Sequence, residues 1–138
     1  MIKLSEIIVE LETVNNELEC YYNPDTKEVF LSNIGEFGNL NENELDGLFE
    51  KSIMLPTKFD IHEYSIMEGF IETIFDNLLY NQLLIAINGN GAFRRFKDTC
   101  INFGCIDDWY KFRDRKYKEI AVEWCRKNNV EYEDDVIC

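Results

Sequence analysis

Gly89-Asn90-Gly91-Ala92-Phe93-Arg94-Arg95-Phe96-Lys97-Asp98-Thr99-Cys100-Ile101-Asn102-Phe103-Gly104 is the stretch on which the fold turns. Phe93, Phe96, Cys100 and Phe103 recur at steps of three, four and three, which makes one core-facing side of a helix that starts near Gly91 and ends at Gly104. Downstream, Trp109, Phe112, Tyr117, Ile120, Ala121 and Trp124 form the inner stripe of a long helix that begins at Ile106 or Asp107 and stops at Asn128-Asn129. Upstream, Leu78, Leu79, Leu83, Leu84 and Ile87 mark a mostly buried helix halted by Gly89. Tyr64, Met67, Phe70, Ile71 and Ile74 mark another, placed beyond Pro56 with Asp60 as its cap.

The N-terminal third reads differently. Leu4, Ile7, Ile8 and Leu11 follow helical spacing, with Glu6, Glu10 and Glu12 on other sides, so residues 4–14 form an amphipathic helix. Leu18 to Tyr22 and Glu28 to Leu31 are strand-like and flank Asn23-Pro24-Asp25-Thr26-Lys27, whose proline and Asx residues supply a turn, so a β-hairpin is expected. A loop over 32–41 ends at a capping box, Asn41 with Glu44, that opens a short helix. Val130 to Tyr132 adds a short strand, and 133–138 reads as a flexible acidic tail. The expected fold class is therefore α+β, mostly helical: an N-terminal helix, one β-hairpin, then a C-terminal bundle of about four to five helices, in a single domain over 1–138.

With 138 residues, 46% apolar and 14% aromatic, the chain can bury a core without staples. Its start lacks the basic end and apolar run of a secretory leader, and its longest apolar run, Leu83 to Ile87, is too short to span a membrane. A cytoplasmic location follows, with reduced thiols at Cys20, Cys100, Cys105, Cys125 and Cys138, which contain no C-x-x-C pair. His62 is the sole histidine and no nucleophile motif accompanies it, so neither a metal nor a cofactor is expected, and a non-enzymatic protein is favoured.

Charge is unevenly distributed within the net −13. Residues 1–93 hold 17 acids and 4 bases, residues 94–127 hold 10 bases and 6 acids, and every arginine lies between Arg94 and Arg126. Arg94 and Arg95 fall at the start of a helix, where unpaired N–H groups already place positive partial charge. Either protein carboxylates, such as Asp98 one turn on, or a bound anion must answer them. Arg113 falls between Trp109 and Tyr117 on the aromatic stripe, which requires a carboxylate, a carbonyl or a ring face for its guanidinium. Phe93, Arg94, Arg95, Lys97, Trp109, Tyr110 and Arg113 thus make the candidate binding groove, of the residue types that dominate binding hot spots, for a partner protein, a peptide or an anionic small ligand. RNA binding through 94–127 is one alternative, which the net −13 opposes, and an acidic mimic or sequestering protein is another.

The run Gly91-Ala92-Phe93-Arg94-Arg95-Phe96-Lys97-Asp98, followed by Trp109-Tyr110-Lys111-Phe112-Arg113-Asp114 and Ala121-Val122-Glu123-Trp124, resembles an uncharacterised bacterial family, uncharacterised protein family 0158. The segment from Tyr21 to Val29 is similar to that family's hairpin. Lys27 stands where the family often has a turn glycine, and Asn90 where a lysine is frequent, which removes one cation from any phosphate cradle. The resemblance implies a fold and candidate residues, and no reaction.

Overall fold

The computed structural model describes residues 1–13, 19–31 and 42–137. The fold is α+β and mostly helical, as expected. The loop over 32–41, the Asn41 half of its capping box and Leu18 lie outside the described residues. The chain divides into two compact units, Met1–Ile61 with Tyr117–Ile137, and His62–Lys116. Both consist of elements whose apolar face is legible in the sequence.

The first unit contains β1 (Ile2–Lys3), α1 (Leu4–Thr13), β2 (Cys20–Asn23), β3 (Glu28–Leu31), α2 (Glu42–Lys51), β4 (Ile53–Met54) and the one-turn α3 (Lys58–Ile61). Leu4, Ile7 and Leu11 are buried, which is the stripe that the helical spacing requires. The hairpin β2–β3 pairs Cys20 with Leu31 and Tyr22 with Val29, and β4 adds a third antiparallel strand on the other side of β2. Within the hairpin turn, Asp25 N–H donates to the Asn23 side chain (2.9 Å) and Lys27 N–H to the Asn23 carbonyl (2.8 Å).

That turn carries Lys27 at φ 59°, in the left-handed region where a Cβ is strained. Glycine meets no such penalty. Lys27→Gly is accordingly expected to raise stability by about 0.5–1 kcal/mol, read as a shift of the urea midpoint at constant slope. An unchanged or lower midpoint would show that the turn does not bear this strain.

Two sequence expectations shift around α3. Thr57 and Asp60 make a reciprocal capping box, Thr57 N–H to Asp60 at 3.0 Å and Asp60 N–H to Thr57 at 3.2 Å, so Asp60 sits in the first turn of α3 rather than capping the next helix. The following helix, α4 (Glu63–Glu72), instead begins after His62, which lies at φ 56° and bonds its ring nitrogen to the Ser65 hydroxyl. The apolar period of α4 was readable, but which of several polar residues would cap it was not.

The second unit contains α4, α5 (Asn77–Ala86), α6 (Ala92–Asn102) and the first part of α7 (Ile106–Lys127). Asp76 caps α5 by accepting from Leu79 N–H (2.9 Å). Phe70, Phe96 and Trp109 are buried and meet edge to face, Phe96 to Trp109 at 4.8 Å and Phe70 to Trp109 at 5.6 Å between centroids. Gly104, at φ 71°, ends α6: its N–H donates to Ile101 and that of Cys105 to Cys100, which buries the two cysteines against the helix end.

The remainder of α7 belongs to the first unit. It opens on Asp107 and Asp108 and closes on Arg126 and Lys127, a charge order that complements the helix dipole. In this part Tyr117, Ala121, Trp124 and Cys125 are buried. The Trp124 indole N–H donates to the Met54 carbonyl (2.9 Å) and its ring meets Tyr22 edge on at 5.9 Å, which fixes α7 to the small sheet. β5 (Tyr132–Glu133) pairs in parallel with β1, Asp134 meets Lys118 at 3.2 Å, and Asp135 accepts from Ser5 N–H at 2.9 Å.

Candidate functional site

α6 begins one residue after Gly91, so Arg94 and Arg95 do occupy its first turns. Their surroundings differ completely. Gly89 at φ 78° and Gly91 at φ 76° fold the connection between α5 and α6 so that carbonyls point inward. Arg95 reaches back into that turn: its Nε donates to the Ala86 carbonyl at 3.1 Å, and its terminal nitrogens donate to the carbonyls of Asn90 and Asn88. A Cβ at Gly91 would come within 3.3 Å of this guanidinium. The Gly-x-Gly turn therefore wraps a cation, with a polarity opposite to that of a phosphate cradle. It also sets a positive charge on the electronegative end of α5, whose last carbonyls have no helical partner.

Arg113 is likewise engaged. Its Nε donates to Glu63 at 2.9 Å, where Glu63 is the first residue of α4 and both side chains are about four-fifths covered. Trp109 is fully buried, with an indole N–H that meets no acceptor among the described residues, so it serves the aromatic core of the second unit. The expected groove of seven residues is thus divided: Arg95 braces a turn, Arg113 holds a carboxylate, and Trp109 is internal.

Phe93, Arg94, Lys97 and Tyr110 remain exposed. Lys97 lies over the Phe93 ring at 5.9 Å. Arg94 makes no hydrogen bond or ion pair among the described residues, and the one-turn pairing with Asp98 is not formed. Ile101, 58% exposed, joins them: Phe93, Arg94, Lys97 and Ile101 fall within about 100° of arc on the helix. Sequence reasoning missed Ile101 because it followed the Phe93-Phe96-Cys100 period inward; the step of four from Phe93 through Lys97 would have found it.

Other grooves offer less. A groove of about 440 Å³ in the first unit runs over Met54, Pro56, Ile120 and Trp124. Its charged rim is self-satisfied, Lys127 with Glu123 at 3.3 Å and Asp60 with Thr57. Among the described residues no three His, Cys, Asp or Glu side chains gather as a metal site requires, and no helix is long and apolar enough to cross a membrane.

Fold and surface together define a mostly helical α+β protein whose second unit presents one cationic, partly apolar helix face. Its residues 36–136 match the family model described as Uncharacterised protein family (UPF0158), and the chain belongs to that family. Comparison with curated proteins and with solved structures returns no match.

Proposed function

We propose that this is a non-enzymatic, cytoplasmic binding or adaptor protein that uses the outward face of α6, Phe93, Arg94, Lys97 and Ile101, with Tyr110 as a further exposed aromatic, to hold an acidic, partly apolar segment of a partner protein. An anionic small ligand is the lesser form of the same reading, because small-molecule sites are concave whereas these side chains stand on a convex helix face. The Gly-Ala-Phe-Arg-Arg-Phe-Lys motif would then combine two roles, Arg95 for the turn and Arg94 for the partner.

One observation carries the reading. Arg94 is exposed and has no hydrogen bond or ion pair among the described residues, while its neighbour Arg95 is engaged by three backbone carbonyls. A protein partner is favoured over RNA because the net charge of −13 opposes a phosphate backbone.

Affinity purification of the full chain with quantitative mass spectrometry checks it. Partners held by the wild-type chain are expected to fall about tenfold with Arg94→Glu and with Lys97→Glu, while Tm stays within about 2 °C. Arg95→Ala should instead cost about 2 kcal/mol of stability, through three lost charge-assisted bonds to carbonyls. Equal recovery by wild type and both glutamate variants would sink the reading. Loss of bound RNA instead of bound protein would transfer it to the nucleic-acid alternative.

A further inference from the structure

α5 has a composition unlike that of the rest of the molecule. Asn77-Leu78-Leu79-Tyr80-Asn81-Gln82-Leu83-Leu84-Ile85-Ala86 contains no charged residue, and the uncharged run extends to Phe93. Every other described helix carries charge. Leu79, Leu83 and Ala86 form its buried row. A second row, Leu78, Asn81, Gln82 and Ile85, follows the helical steps of three and four on a different side. It is open to solvent: Leu78 is 62% and Ile85 64% exposed, and Phe75, just before the cap, is 98% exposed. Two large aliphatic side chains and a nearby phenylalanine thus stand exposed around two neutral amides, with no charge among them.

We infer that this row is the contact between two copies of the chain, paired α5 against α5 in antiparallel fashion about a two-fold axis. A two-fold contact sets each surface patch against itself, so a patch with an excess of one sign repels its own copy. The first unit carries 19 acids against 7 bases, whereas the second carries 8 against 7. In a molecule of net −13, the uncharged row of α5 is a surface on which two copies can close without repulsion. The row is also self-complementary in length: antiparallel pairing sets Leu78 of one copy on Ile85 of the other and brings Asn81 and Gln82 together at the axis, where neutral amides can hydrogen-bond. A contact of one short helix per copy lies at the low end of specific interfaces, so association at tens of micromolar is the scale expected. This inference is independent of Arg94 and of the α6 face.

Sedimentation of the purified full chain from about 5 to about 500 µM tests it. The average mass is expected to rise toward twice that of one chain, and to stay at one chain throughout for Leu78→Glu combined with Ile85→Glu at unchanged far-UV circular dichroism. A wild-type chain that remains single at the highest concentration overturns the inference, as does association that persists in the folded double variant. If the double variant loses its helical signal, a cross-link decides. Gln82→Cys, in a chain with Cys138→Ser, should give an interchain disulfide under copper-phenanthroline oxidation in air, and Glu68→Cys on α4 should not. Equal cross-linking at both positions overturns the pairing. Capture of a different protein by a photo-reactive residue at position 82, while the pure chain stays single, assigns the row to that partner and overturns the two-copy inference.

Discussion

Trp109→Ala is expected to cost about 3–5 kcal/mol of unfolding free energy, the largest loss from any single truncation in the second unit. The indole is fully buried and has Phe96 at 4.8 Å and Phe70 at 5.6 Å against it edge on, so its removal leaves a cavity that α4 and α6 would have to collapse to fill. A loss of that size, spread over a chain of this length, lowers the urea midpoint clearly at an unchanged slope. Trp109→Phe separates packing from polarity. The indole N–H meets no acceptor among the described residues, so its replacement removes chiefly ring volume, about 1–2 kcal/mol. A Trp109→Ala chain within about 1 kcal/mol of wild type would instead mean that the ring is not an organising element of the core.

The same residue shows what was legible in the sequence and what was not. The spacing that placed Trp109 inside a helix also placed it among candidate ligand residues, because buried and ligand-facing aromatics share one period. What distinguishes them is the partner on the other side, here Phe70, which lies 39 positions away in the chain. Helix limits were readable wherever local chemistry sets them: Gly91 and Gly104 bracket α6, and Asn128-Asn129 follows the end of α7. The strand expected over Val130 to Tyr132 lies at β5, one residue further on, whereas β1 and β4 go unread because two-residue strands carry no alternation to detect.

The arginines make the point more sharply. Arg94 and Arg95 are neighbours of identical chemistry, and no periodicity separates them. Their fates diverge because successive helical residues point 100° apart, so one reaches back to the α5 turn and the other faces outward. The α5 row was misread for a related reason. Leu78 and Leu84 share the apolar run of Leu79 and Leu83 but are exposed, because a helix of ten residues with one covered side cannot bury them all. Absence of charge was the more informative signal there, and hydrophobic periodicity alone does not report it.

At pH 8, Cys100 is expected to react with iodoacetamide about a thousandfold, and Cys125 about a hundredfold, more slowly in the native chain than in urea. Burial pushes the Cys100 thiol up to about 12, with the neighbouring Cys105 sulfur adding to the effect, and burial alone pushes Cys125 up to about 11. The thiolate is the nucleophile, and at pH 8 a thiol of that acidity holds on the order of one ten-thousandth to one thousandth of its population in that form. Labelling then proceeds through transient opening, so its rate reports local stability at the α6 and α7 ends. The same shifts fix the sign of an alkaline effect. Unfolded cysteines release their protons near pH 9 while the native ones retain them until about 11 to 12, so stability is complete below 9 and falls as pH rises through that window. Tyr21, raised to about 12 mainly by its hydrogen bond to Glu19, and Tyr22, raised mainly by burial, act in the same direction. A lower urea midpoint at pH 10.5 than at pH 8, with peptide mapping that finds Cys100 and Cys125 unlabelled in the native chain, is the expected pair of results. Rapid native labelling of either residue at pH 8 would show that these helix ends open far more readily than their packing implies.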